Sequence, residues 1–120
     1  MMLSEELYPQ RVFYYFEQIA AIPHGSRNTK AISDYLVDFA KEHNLVWYQD
    51  ENNNVVIVKE ASAGYEAAEP IIIQGHMDMV CEKEKGVDID FEKDGLKLYI
   101  DGDLLKAEGT TLGGDDGIAV

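Results

Sequence analysis

Pro-Ile-Ile-Ile-Gln-Gly-His-Met-Asp-Met-Val, residues 70–80, decides how this chain is read. The β-branched run Ile71, Ile72 and Ile73 predicts a strand buried on both faces, as the central strands of α/β sheets are. Gly75, His76 and Asp78 follow at its carboxyl end. In extended backbone, residues i and i+2 point to one side, so the His76 imidazole and the Asp78 carboxylate are expected to share a face. A carboxylate beside a metal-bound histidine accepts a hydrogen bond from the ring nitrogen that is not on the metal. That bond fixes the tautomer and makes the ligating nitrogen more basic. Taken alone, the pair reads more readily as an ordinary polar strand end than as a metal site.

The stretch Thr110-Thr111-Leu112-Gly113-Gly114-Asp115-Asp116-Gly117-Ile118-Ala119-Val120 shifts the balance. Two glycines permit a tight turn, two carboxylates follow, and Gly117 opens an apolar segment expected to begin a helix. Either aspartate alone reads as an N-cap. Two of them flanked by glycines, in a chain that also carries His-x-Asp, suit a carboxylate that approaches one or two divalent cations closely.

Together, Gln-Gly-His-Met-Asp-Met-Val-Cys-Glu-Lys (Gln74 to Lys83) and Thr-Thr-Leu-Gly-Gly-Asp-Asp-Gly (Thr110 to Gly117) resemble the aminoacyl-histidine dipeptidases, the Xaa-His, carnosinase-type branch of the co-catalytic zinc peptidases. The Ile-Pro-His-Gly-Ser turn at Ile22 to Ser26 and the hairpin approach to Thr110 fit as well, so the likeness runs over nearly the whole chain. The resemblance implies an α/β fold, a mixed sheet with flanking helices, in a phosphorylase/hydrolase-like catalytic domain. Residues 1–120 would be its N-terminal portion, without the lid domain or the C-terminal half. It implies a cytoplasmic metalloprotease acting in proteolysis, a hydrolase of Xaa-His dipeptides using water activated by two zinc ions, with manganese or cobalt as substitutes. His76 would bind one zinc and Asp115 would bridge the two. Asp78, counted with the catalytic residues, would orient His76, and Asp116 would sit behind Asp115, joined to it by a cis peptide. The family's general base is a glutamate in a Glu-Glu pair downstream of the bridging aspartate, and further ligands lie later still. Only five residues follow Asp115 here, so these residues alone are expected to hydrolyse nothing. Gly114 departs from relatives that carry alanine. Another zinc peptidase of the superfamily, a tripeptide aminopeptidase or an amidohydrolase-like member, remains an alternative, as does a non-catalytic acidic α/β binding module.

Composition limits the partners. A net charge of −13 disfavours nucleic acid and anionic membranes as partners and attracts cations. The expected partner is a dipeptide substrate, with a homo-oligomer left open. Met1 to Gln10 holds no basic region followed by an apolar core, so no secretory signal is expected, and no apolar run approaches the ~20 residues that cross a bilayer. The single cysteine, Cys81, fits a reducing compartment and reads as a small buried hydrophobe, not a nucleophile.

The remaining segments read as scaffold. Val12, Phe13, Phe16, Ile19 and Ala20 form one helical face ended by Pro23, and His24 falls in the following turn as a structural loop histidine. A second helix is expected after Asn28 as N-cap, with Ala31, Ile32, Tyr35, Leu36, Phe39 and Ala40 inward, His43 at its negative end and Asn44 as the left-handed closing residue. Residues 45–49 and 55–58 predict paired strands about a turn at 50–54. Residues 96–100 and 104–107 predict a hairpin about Asp101-Gly102-Asp103, which accounts for those acids better than calcium does. Glu82 to Lys85 reads as a solvated charged face.

Overall fold

The computed structural model describes residues 2–120. They form a 3-10 turn (Leu3–Glu6), helices α1 (Gln10–Ala21) and α2 (Lys30–Glu42), strands β1 (Val46–Gln49), β2 (Val55–Val58), β3 (Leu98–Asp101) and β4 (Leu104–Ala107), and a last helical turn α3 (Gly114–Gly117). Two compact units result, one made of Met1–Ile32 with Gly75–Val120 and the other of Ser33–Gln74.

In the first unit, α1 buries Phe16, Ile19 and Ala20, as its periodicity predicts, while Val12 at its start remains 43% exposed. Glu17, off the apolar face, accepts hydrogen bonds from the Leu3 and Ser4 amides and so ties the 3-10 turn to the helix. The helix stops at Ile22, whose backbone is extended before Pro23. Its last turn meets Gly95 at close range, and the Leu96 amide donates to the Ala20 carbonyl at 2.9 Å. β3 and β4 pair antiparallel, Leu98 opposite Ala107 and Asp101 opposite Leu104. Gly102, with φ of 60°, takes the first central position of the two-residue turn, where a type II′ hairpin requires left-handed backbone. Lys106 donates to Asp101 at 2.7 Å, so Asp101 is engaged by the hairpin itself.

In the second unit, β1 and β2 form the other antiparallel hairpin, Val46 opposite Val58. The Asp50 carboxylate accepts from the Asn52 and Asn54 amides and from the Asn54 side chain, and Asn53 adopts φ of 69°. These bonds, the Asn54 side chain foremost, hold the Asp50 carboxyl below its ordinary pKa. The end of α2 is a Schellman closure: Asn44 has φ of 55°, its amide reaches the Lys41 carbonyl, and the Leu45 amide reaches that of Ala40. His43 stacks on Phe39 and its Nδ1 donates to the Phe39 carbonyl at 2.9 Å, which is a helix-end role.

Several expectations need correction. The helix begins at Lys30, so the cap position falls on Thr29 and not Asn28. Its buried side includes Ser33 and Val37, while Ala31 is exposed. Ser33 is invisible to an apolar count, yet it is fully buried, donating to the Asn53 carbonyl at 2.8 Å and accepting from Gln49 Nε2 at 2.8 Å. The larger correction concerns the sheet. Ile71, Ile72 and Ile73 are 88%, 89% and 92% exposed, and residues 70–78 form no strand. Among the described residues the strands make two separate antiparallel pairs, not one mixed sheet. The physical reason is that a strand needs neighbours to saturate its amides and carbonyls, and no described segment pairs with residues 71–74. No helix among the described residues is long and apolar enough to cross a membrane.

Candidate metal site

All site residues belong to the first unit, and backbone pairing brings them together. The turn after α1 lies parallel to the chain at Met79: the Met79 amide donates to the His24 carbonyl at 3.0 Å and the Ser26 amide to the Met79 carbonyl at 3.1 Å. Gly25 permits this approach, since a Cβ there would stand 2.7 Å from Cys81 Sγ. Beyond it, residues 80–84 pair with residues 109–111. The Thr111 amide donates to the Glu82 carbonyl at 2.9 Å, the Thr111 hydroxyl to the Val80 carbonyl at 2.7 Å, and the Glu84 amide to the Gly109 carbonyl at 2.9 Å. The segment read as a solvated charged face is therefore also the seam that delivers residues 113–116 to the end of residues 75–78.

The delivered loop is held on three sides. Gly113 has φ of 74°, and a Cβ on it would stand 3.0 Å from Met79 Sδ and 3.4 Å from His24 Nε2. Gly117 packs on Phe16 of α1, so closely that a Cβ on it would stand 3.3 Å from the ring. Asp116 Oδ2 accepts from the His76 amide at 3.2 Å. Asp115 keeps extended dihedrals inside the turn (φ −96°, ψ 109°), and the Asp115–Asp116 peptide is cis, as the resemblance implies. Gly117 ends the four-residue turn, and the backbone beyond it stays helical, with Ile118 at φ −71° and ψ −28° and the Val120 amide donating to the Asp116 carbonyl at 3.1 Å.

The predicted residues meet. His76 Nδ1 lies 3.0 Å from the Asp78 carbonyl and 3.1 Å from Asp78 Oδ1, so this nitrogen carries the proton and donates it. The other ring nitrogen, Nε2, lies 3.4 Å from Asp115 Oδ1, whose side chain is 98% exposed. Asp78 Oδ2 accepts from the Ser26 hydroxyl at 2.5 Å. That bond, more than any other influence, holds the Asp78 carboxyl below its ordinary pKa. For His76, desolvation opposes the charged form, but the bond to the Asp78 carbonyl, the contact with Asp115 and the two nearby negative charges outweigh it and raise the pKa.

The donor set fits part of a zinc site. The imidazole presents Nε2 to one carboxylate, with Nδ1 tied to a second. Two atoms each about 2.1 Å from a tetrahedral zinc lie roughly 3.4 Å apart, and Nε2 and Oδ1 are 3.4 Å apart. Among the described residues no three His, Cys, Asp or Glu side chains gather as a complete site, whereas catalytic zinc takes three protein ligands. His24, read as structural, is buried: its Nδ1 donates to the Ile22 carbonyl at 2.7 Å and its ring backs Gly113. Cys81 is half-buried, and burial, with the Glu82 charge, pushes its thiol pKa up, which suits packing and not nucleophilic attack. Sequence reasoning missed the parts played by Ser26, Thr111 and Gly75. Ser26 lies in a turn that the resemblance includes, but nothing local shows which carboxylate it reaches.

No family model matches the sequence. The chain is 41% identical over 115 residues to the cytosol non-specific dipeptidase of Escherichia coli (strain K12), a match covering 96% of this chain and 24% of that protein. Its structure is similar to the crystal structure of aminoacylhistidine dipeptidase from Vibrio alginolyticus, with a TM-score of 0.91 and 38% identity, again over 96% of this chain and 24% of the other. The chain therefore spans about a quarter of the length of the relatives it matches.

Proposed function

Since this chain is homologous, over about a quarter of their length, to the aminoacylhistidine and cytosol non-specific dipeptidases, we propose that it supplies the first part of the metal centre of a zinc-dependent dipeptidase. The observation that supports the reading best is the pairing of His76 Nε2 with Asp115 Oδ1 while Nδ1 is occupied by Asp78. Bound zinc supplies Lewis-acid polarisation of a peptide carbonyl and a more acidic water.

In this reading each residue has one task. His76 gives its Nε2 lone pair to one ion. Asp78 keeps the proton on Nδ1 and turns the ring toward the ion. Asp115 would be the carboxylate ligand shared by two ions, and Asp116 anchors the loop to the His76 amide. The general base and the remaining ligands come from outside these residues, so residues 1–120 form the N-terminal part of the catalytic domain and hydrolyse nothing alone. In the complete domain Ile71–Ile73 becomes an inner strand of a mixed sheet, which accounts for three exposed β-branched side chains immediately before the metal ligand. The substrate is a dipeptide of the Xaa-His kind and the compartment is the cytoplasm, following the E. coli relative's name as a cytosol enzyme. Manganese or cobalt can replace zinc at such ligands.

Zinc titration calorimetry on the intact protein, with activity against Xaa-His dipeptides, Gly-Gly-Gly and N-acyl amino acids, tests the proposal. Zinc uptake lost in His76→Ala, with preference for Xaa-His, is expected. Preference for the tripeptide or the N-acyl substrate would move the protein to another branch of the zinc peptidases. Absence of zinc binding, or binding indifferent to His76→Ala, would leave an acidic α/β module without metal.

A further inference from the structure

The His76–Asp78 pair has a third member that the metal reading does not use. We propose that Ser26 is a positioning residue for His76, acting through Asp78: its hydroxyl fixes the carboxylate whose other oxygen sets the imidazole. The inference rests on the zinc-peptidase reading and adds the residue that orients its first ligand.

Geometry carries the assignment. Asp78 uses its two oxygens on two different partners, Oδ1 at 3.1 Å from His76 Nδ1 and Oδ2 at 2.5 Å from Ser26 Oγ. The Ser26 hydroxyl has one proton. Its second acceptor, the Met79 carbonyl, lies at 3.4 Å, so the short bond to a charged oxygen takes the proton. Torsions of an aspartate about its last bond are broad, and this side chain is 37% exposed, so packing alone does not set the carboxylate plane. With Ser26 holding one oxygen, the other stays on Nδ1–H, and Nε2 stays turned toward Asp115.

The holder is itself well held. The Ser26 amide donates to the Met79 carbonyl at 3.1 Å, and the Asn28 amide to the Gly25 carbonyl at 2.8 Å, closing a turn in which Arg27 has φ of 70°. The hydroxyl thus reaches Asp78 from a segment 52 residues away in sequence whose backbone is held by its pairing with Met79. A serine that served only as a tether for the turn would be redundant beside the two backbone bonds at Met79.

Threonine and valine have nearly the same shape and differ in the hydroxyl, so Ser26→Thr and Ser26→Val isolate it. Three readouts apply to the intact protein: cobalt affinity from its absorption spectrum, the 15N imidazole signals of His76 without metal, and far-UV circular dichroism. Expected are a near-wild-type Ser26→Thr and a folded Ser26→Val whose cobalt affinity falls about 10-fold or more, with altered band shape and a shifted His76 Nδ1 signal. Equal affinity and equal nitrogen signals in the two variants overturn the proposal. So does a valine variant that fails to fold where threonine folds, because the hydroxyl would then be a structural tether. If neither branched residue folds, Ser26→Ala is judged by the same readouts. A wild-type protein that takes up no cobalt defeats the zinc-peptidase reading instead. The His76 nitrogen signals are read without metal and still decide the role of Ser26.

Discussion

Gly75→Ala separates the placement of the metal loop from the stability of the fold. A Cβ at residue 75 would stand 2.4 Å from Asp116 Oδ2, about 1 Å inside ordinary van der Waals contact, and 3.8 Å from Val120 Cγ2. The obstacle is the tip of a carboxylate, so it swings away and the backbone stays. Its departure removes the 3.2 Å bond from the His76 amide to Asp116. A hydrogen bond to a charged group contributes about 1.5–3 kcal/mol. This one is long and solvent-exposed, which places it near the lower bound, and ~1.4 kcal/mol is a factor of ten in an equilibrium constant. Because that bond ties the Asp115-bearing loop to the His76-bearing segment, we expect about tenfold weaker cobalt binding with little change in the melting temperature. Titration and melting of the intact variant measure both. Asp116→Ala removes clash and bond together, so Gly75→Ala/Asp116→Ala should bind no worse than Asp116→Ala alone. Wild-type affinity in Gly75→Ala, or additive losses in the double variant, would refute the reasoning.

Three further outcomes are expected. Desolvation of protonated His76 is outweighed by its bond to the Asp78 backbone and by the Asp115 and Asp78 carboxylates, so its folded pKa is raised. Without metal, that stabilisation is complete below the unfolded histidine pKa and is lost as pH rises through the folded one. Metal binding has the opposite sign, because protons compete for Nε2: affinity should fall by about tenfold per pH unit once pH drops below the raised pKa, and calorimetry showing a flat profile would exclude His76 as a ligand. Gly95→Ala places a Cβ 2.6 Å from the Ala21 carbonyl oxygen and 2.9 Å from Ala21 Cα. Backbone cannot rotate aside, so the cost lies toward the upper end of the ~1–3 kcal/mol of overpacking, and an unchanged thermal midpoint would contradict the seam between α1 and Leu96. Finally, Ile72→Lys should reduce self-association of the 120-residue chain in sedimentation velocity, since Ile71–Ile73 presents unpaired apolar backbone; equal sedimentation of both forms would show that this segment is not the sticky one.

The parts of the molecule that sequence reveals are those whose cause is local. The β1–β2 turn closes because Asp50 reaches only to Asn52 and Asn54, and the β3–β4 turn because Gly102 adopts a backbone conformation open to few other residues. Asn44 ends α2 for the same kind of reason. The inward face of α2 is less legible. Periodicity counts apolar side chains, and Ser33 is buried by what Gln49 and Asn53 offer it, which no helical pattern contains.

The site divides along the same line. That His76 and Asp78 share a face follows from a two-residue repeat, but that Asp115 meets them depends on Thr111 bonding to Val80 and Glu82, and on Ser26 and Asp78 facing one another across 52 residues. Such pairings are settled by chain topology and leave no mark on the spacing within either motif. Ile71–Ile73 shows the limit from the other direction. A β-branched run states what a segment requires, two neighbours and a dry environment, and says nothing of where they come from. The His76-bearing end of that run is nevertheless held in place, because Met79 and residues 80–84 have partners of their own in the turn at His24–Ser26 and in residues 109–111. The geometry of His76, Asp78 and Asp115 is therefore set by contacts on the carboxyl side of the apolar run, which is why the three side chains meet even where the segment leading into them stands unpaired.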